Sequence, residues 1–239
     1  MTNALLQIKI KERLNKVSSL DYDNIECWQV SEAFNKAQLE WVRRQIHGAN
    51  QFKEGDESSK MNIDDVQLLL TDTNTNSTPV TMIKHDVYYE TGLIPANYLY
   101  YKRFAVNTKS DCCPTPRRMI VYLGEVADVD NLLIDNFRQP SAKWGETFCT
   151  MSGNKIKIYT NGEFELQNPV LFYYRKPKEV AFLNCTNPST GATTTIDVPC
   201  EFKDDIVEMI IDEACSILAG DIESMNQYQR NKQNSTLND

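Results

Sequence analysis

Apolar residues recur near the start of the chain at Leu6, Ile10, Leu14 and Val17, at spacings of four, four and three. That spacing follows the 3.6-residue helical period and predicts a first helix from about Thr2, with Lys9, Glu12, Arg13 and Lys16 on its wet side. A polar turn through Ser18, Ser19, Asp21 and Asp23 follows. A second stripe of Val30, Phe34, Ala37, Trp41 and Val42 then predicts a helix that stops at Gly48. Arg43 and Arg44 fall in its last turn, where cations meet the negative end of the helix dipole. Residues 48–60 are polar and read as a loop. Asn62 and Asp65 bracket a short third helix as a capping box does, with Ile63, Val66, Leu69 and Leu70 turned inward.

The periodicity changes after residue 70. Thr71 to Pro79 is too polar to pack, and strands are predicted beyond it at Val80 to Tyr89, Tyr98 to Val106, Arg118 to Tyr122, Lys155 to Tyr159, Val170 to Arg175 and Thr193 to Val198. Lys155 to Tyr159 alternates charge with apolar groups, whereas Val170 to Tyr174 is apolar throughout and reads as a central strand. Asn161-Gly162 fits a tight hairpin turn. Val129, Leu132 and Leu133 form the inner side of a short helix before Pro140. The last stripe, Ile206, Ile210, Ala214, Ile217, Leu218, Ile222 and Met225, predicts a long helix after Pro199 with Glu201, Asp204 and Asp205 at its positive end. This order predicts an α+β fold: a helical part from residues 1–70 and 199–228, a mostly antiparallel β-rich part from 71–198, and a flexible polar tail at 229–239. The terminal helices are expected to pack on each other or on one side of a sheet.

With 239 residues, 41% of them hydrophobic, the chain can bury a substantial core. It has no long uncharged apolar run, and Met1 to Lys11 lacks a signal-peptide pattern, so a cytoplasmic site of synthesis is expected. The formal charge is −8, and Pro199 to Asp239 supplies most of it, with nine acidic residues against Lys203, Arg230 and Lys232. This balance argues against a general nucleic-acid binder, and Arg117-Arg118 reads as a solvated strand end.

Seven cysteines, two of them adjacent at Cys112-Cys113, predict reduced and mostly buried thiols; their spacing fits no zinc site, and no cofactor is expected. Catalytic chemistry has few openings. Cys113 or Cys149 with His85 is the one conceivable nucleophile-base pairing, and buried apolar cysteines are the simpler reading. The pairs Asp64-Asp65, Asp128/Asp130 and Asp204-Asp205 sit at helix starts, which explains them better than a glycosidase does. No glycine-rich phosphate loop occurs. Trp41 belongs to a helix stripe and reads as core, while Trp144, in the polar stretch Ser141 to Glu146, is either packed or part of a binding platform.

Several stretches taken together carry a resemblance: Phe34-Asn35-Lys36-Ala37-Gln38-Leu39-Glu40-Trp41-Val42-Arg43, Leu93-Ile94-Pro95-Ala96-Asn97-Tyr98, Gln139-Pro140-Ser141-Ala142-Lys143-Trp144, Val170 to Pro177, Val198-Pro199 and the acidic last helix. In this order they resemble the head-to-tail connector proteins of short-tailed bacteriophages, most closely the ring or tubular adaptors of crAss-like phages. The resemblance implies a non-enzymatic virion protein at the head-tail junction. Its helical part would come from both chain ends and join a β-rich domain. Its copies would form a ring, commonly of twelve, beneath the portal protein and above further tail proteins, through which double-stranded DNA leaves without specific binding and no membrane is engaged. The Cys112-Cys113 region and the length of the β part depart from a generic adaptor. On this reading Trp144, Tyr228, Gln229, Arg230 and Lys232 are docking candidates. Asp212, Glu213, Asp221 and Glu223 are candidates for an acidic lumen wall that repels passing DNA. The alternatives are a β-sandwich receptor- or glycan-binding module built around Trp144, and a cysteine hydrolase.

Overall fold

Leu6, Ile10 and Leu14 are buried along one side of helix α1 (Asn3–Asn15), at the predicted spacing. Helix α2 (Cys27–His47) buries Val30, Ala33, Phe34, Ala37, Trp41 and Val42, again one stripe of the 3.6-residue period. The computed structural model describes residues 1–15, 25–47, 65–73, 81–110, 113–221, 229 and 233. Val17, Gly48, Asn62, Ile63, Ile222 and Met225 lie outside the described residues.

The chain forms two units, residues 1–68 with 177–239, and residues 69–176. In the first, the last helix of the described residues (Asp204–Asp221, α4 in chain order) packs against α1 and α2. Of the predicted stripe, Ile206, Ile210, Ala214 and Leu218 are buried and Ile217 is half-buried, and Val207, Ile211, Cys215 and Ala219 widen it into a broad buried face. Phe202 meets Trp41 edge-on at 5.2 Å.

Residues 177–203 belong to this helical unit, so the return from the β-rich part comes at 177 and not at 199. They form no regular strand; the predicted strand at Thr193 to Val198 is reduced to the bridges Thr186 to Thr193 and Ala181 to Val198. An extended segment without a sheet must satisfy its backbone polar groups elsewhere. Side chains of α2 do this, because Ser31, Asn35 and Gln38 share a helix side. Ser31 Oγ and Asn35 Nδ2 donate to the Val180 carbonyl at 2.7 and 3.1 Å, and the Val180 amide donates to Asn35 Oδ1 at 2.7 Å. Gln38 Nε2 donates to the Lys178 carbonyl at 3.0 Å. From α1, Asn3 Nδ2 reaches the carbonyls of Ala181 and Val198, each at 3.0 Å. A disulfide between Cys27 and Cys185 fastens the start of α2 to the same segment. This corrects the expectation of wholly reduced thiols; Cys149, Cys200 and Cys215 are buried thiols outside any disulfide.

The second unit is one eight-stranded sheet: β1 (Leu70–Asp72), β2 (Met82–Lys84), β3 (Tyr88–Thr91), β4 (Tyr98–Ser110), β5 (Cys113–Leu123), β6 (Glu146–Ser152), β7 (Lys155–Tyr159) and β8 (Glu165–Arg175). Its order is β1-β8-β4-β5-β6-β7-β3-β2, antiparallel except for the β5–β6 pair, so the class is α+β. Lys155 to Tyr159 is a strand as predicted, and the apolar Val170 to Tyr174 lies inside the sheet between β1 and β4. Register shifts at three places between β4 and β8 bend the sheet around its own core of Phe104, Met119, Ile156, Ile158, Leu171 and Tyr173. The bend brings Lys84 of edge strand β2 to 3.2 Å from Glu165 of β8.

Two turns depart from the prediction. Asn161 and Gly162 both adopt positive φ, 51° and 75°, but they lead from β7 to β8, which are not neighbours. The tight hairpin turn is Gly153-Asn154 between β6 and β7, with φ of 54° and 64°.

Candidate assembly surface

Because β5 and β6 are parallel, the chain cannot join them by a tight turn and must run back along the unit. Residues 124–145 make that crossover. It begins with a 3-10 turn (Val126–Asp128) and the short helix α3 (Val129–Ile134). Of the predicted inner side of α3, Val129, Leu132 and Leu133 are half-buried and none is fully enclosed. Gly124 permits the crossover to lie close to the sheet: a Cβ there would meet Leu132 Cδ1 at 3.3 Å and Phe148 Cδ2 at 3.6 Å.

Local polar contacts set the rest of the crossover. The Phe137 amide donates to Asp135 Oδ1 at 2.9 Å, a side-chain turn that leaves the Phe137 ring 95% exposed. The Gly145 amide donates to the Ser141 carbonyl at 2.9 Å with Gly145 at φ 72°, and the resulting turn leaves Trp144 76% exposed. Ile134 on α3 is 79% exposed. Ile120, Tyr122, Leu123 and Val126 are exposed as well, so residues 120–144 carry seven large exposed apolar side chains, of which Tyr122, Leu123 and Phe137 line one cleft. Such a concentration marks an interaction surface, whereas scattered exposed apolar residues are ordinary.

Between the crossover and the ends of β5 and β6 lies a cleft of about 490 Å³. Phe148, Leu132, Tyr122 and Phe137 line it, with three carboxylates, Glu125, Asp128 and Glu146, and one guanidinium, Arg138. Residues 124–139 hold four acidic residues and Arg138 alone as a cation. Arg138 lies 3.9 Å from Asp135. The cleft therefore joins apolar and aromatic side chains to a net acidic set of charges.

Trp144, a docking candidate from sequence, belongs to this exposed region; Lys143 Nζ stands 5.9 Å from its ring centroid, and no packing against the core takes place. Gln229 is exposed, and Tyr228, Arg230 and Lys232 lie outside the described residues. The acidic wall fares differently. Asp212 pairs with Arg13 at 2.7 Å, and Glu213, only 2% exposed, pairs with Arg44 at 3.3 Å. Glu208 pairs with both Lys9 and Arg13. Asp212 and Glu213 thus face cations of α1 and α2 and cannot serve as unpaired wall charges. Nothing is described of the Asp221 side chain, and Glu223 lies outside the described residues.

Of the two cysteines considered as nucleophiles, Cys149 is unsuited to the role. Cys149 is buried beside Tyr101, 3.9 Å from its hydroxyl, and burial pushes the thiol up to about 11, the reverse of activation. His85 stacks on Tyr88 at 4.7 Å. Cys113 lies in β5, and its side chain is not described. No helix among the described residues is long and apolar enough to cross a membrane. No protein-family model matches this chain, and no curated protein matches it.

Proposed function

We propose that this protein is a structural virion component, a head-to-tail adaptor whose copies close into a ring beneath the portal and enclose part of the DNA ejection channel. The observation that carries the reading is the crowd of exposed apolar side chains on the β5–β6 crossover. Burying one such residue on association contributes roughly 1.5–3 kcal/mol, and an isolated molecule forgoes that gain. A helical unit assembled from both chain ends around an inserted β-rich unit supports the same reading, since it is the organisation implied by the resemblance. With Asp212 and Glu213 paired inside the helical unit, the channel wall is assigned to other residues.

The second reading, a glycan-binding module, draws on the exposed Trp144, although a single curved sheet would be its scaffold in place of a two-sheet sandwich. Negative-stain imaging of the purified chain, alone and with the portal protein of the same phage, tests the first reading. Closed rings seated on the portal are the expected result. A chain that stays monomeric and ignores the portal overturns it, and glycan-array binding abolished by Trp144→Ala would establish the second.

A further inference from the structure

The antiparallel pair β4–β5 extends beyond its neighbour β6, which begins to pair with β5 only at Ile120. The part beyond β6 is a basic arm, flanked on its β4 side by β8, which pairs with β4 as far as Lys109 and Glu165. Lys109, Arg117 and Arg118 are exposed, and no ion pair involves them among the described residues. Thr115 and Pro116 are exposed with them. The outer edge of this arm has no strand beside it, and an open edge invites pairing with another chain. The Ile120 amide points outward, donating to the Gly145 carbonyl at 2.8 Å. By the two-residue period, position 116 points the same way, and proline there has no N–H to offer. The arm is thus blunted against strand addition, and its contacts must be made by side chains.

At the other end of β5 stands the acidic, aromatic-lined cleft. Arg117 and Leu123, the last strand residue before it, are separated by roughly 20 Å of extended chain. A subunit therefore cannot insert its own arm tip into its own cleft. We propose that the arm of one copy, through Lys109 and Arg118, which the register places on one face of the strand pair, docks in the cleft of a second copy against Glu125 and Asp128, with the arginine stacked on Phe137 or Tyr122. The two surfaces complement each other in charge. A guanidinium can pair with a carboxylate and stack on an aromatic face as well. A contact between two different patches at opposite ends of one strand is head-to-tail, and repeating it gives a ring when the rotation closes. A stable interface buries about 800 Å² per partner, more than the cleft supplies, so the neighbouring Ile134 and Trp144 are expected to be covered as well.

This contact rests on the ring reading, and a charge exchange separates the two. Three forms of the full chain are compared with wild type by sedimentation velocity and electron microscopy, with and without portal protein. They are the arm reversal Lys109→Glu/Arg118→Glu, the cleft reversal Glu125→Lys/Asp128→Lys, and the combination of all four substitutions. Each reversal alone should weaken self-association by roughly tenfold or more, since like charges then meet across the contact. The fourfold form should recover assembly, and a one-to-one mixture of the two single-patch variants should assemble by alternation. Recovery also shows that the substituted chains fold. A wild-type oligomer unaffected by either reversal overturns the contact and leaves the ring reading standing, with the cleft then open to another protein. Loss in both reversals without recovery in the fourfold form or the mixture overturns the pairing. A wild-type chain that never assembles overturns both.

Discussion

Removing the Cys27–Cys185 disulfide is predicted to destabilise the helical unit selectively. The bonded cysteines are 158 residues apart, and the loop between them contains the whole of residues 69–176. In the chain-entropy treatment, a closure of this length restricts the unfolded chain by about 5 kcal/mol, and native disulfides commonly contribute about 2–4 kcal/mol. A loss of about 3 kcal/mol in a chain of this size corresponds to a fall in melting temperature of roughly 10 °C. The assay can be confined to one unit. Trp28 and Trp41 lie in the helical unit and Trp144 in the sheet unit, so a Trp144→Phe background makes indole fluorescence report on the helices alone. In that background, Cys27→Ser/Cys185→Ser should lower the fluorescence-detected midpoint relative to the oxidised chain, and reductant should lower the oxidised chain to the same value. Peptide mapping without reductant should recover the two cysteines joined. Coincident midpoints for the oxidised and Ser/Ser chains, or separate Cys27 and Cys185 peptides under oxidising conditions, would refute the reasoning. In a reducing compartment the bond is not expected to persist, so its formation would follow exposure to an oxidising environment.

Other perturbations have distinct signatures. Arg44→Met should cost about 3 kcal/mol in denaturant unfolding, because it removes the cation facing the enclosed carboxylate of Glu213; the paired change Arg44→Met/Glu213→Leu should recover most of it. Gly162→Ala should cost roughly 1–3 kcal/mol, since φ is 75° and a Cβ would stand 3.2 Å from the Asp86 carbonyl oxygen. Gly191→Ala, at φ 65° with nothing within 4 Å of the added Cβ, should cost less in the same thermal melts. Burial moves the Cys149 thiol from 9.0 to about 11. The folded chain therefore keeps a proton that the unfolded chain releases, and stability from this group is complete below pH 9 and declines by about 1.4 kcal/mol per pH unit until about pH 11. Cys149→Ala should flatten that alkaline slope in urea titrations, and a thiol reagent at neutral pH should leave Cys149 unmodified in the folded chain.

Helix stripes and isolated alternating strands were readable because a period of 3.6 or 2 survives in composition alone. Leu6, Ile10 and Leu14 show the first and Lys155 to Tyr159 the second. Two kinds of feature were not readable. Strand β6 buries Phe148, Cys149 and Thr150 in succession, so it has no alternation; it is covered on both sides and lies beside β5 in parallel. The segment 177–203 is ordered by side chains of α2 and a disulfide, interactions that span more than a hundred residues and leave no local period. The functional surface was partly readable. Trp144 stood out as an aromatic in a polar stretch, whereas Phe137 is exposed through the Asp135 turn, and the carboxylate Glu146 reaches the cleft by its register opposite Ile120.

The charge along the chain shows why location matters more than a tally. The last forty-one residues hold most of the excess negative charge, yet among the described residues Glu208, Asp212 and Glu213 are met by Lys9, Arg13 and Arg44, and Asp204 by the terminal amine of Met1. Those cations belong to stripes read separately as the wet sides of other helices. The acidic face of α4 and the basic faces of α1 and α2 are therefore one internal seam, which sets how the helices pack. Glu125 and Asp128 have no ion-pair partner among the described residues, and they lie beside exposed aromatic rings on a crossover that parallel pairing requires. Within the sheet unit, the carboxylates without an ion-pair partner at the cleft are thus gathered at the end of β5 opposite its basic arm. An assembly organised by charge would be joined there, and substitutions in the α4 seam should alter stability while leaving assembly by the folded chain intact.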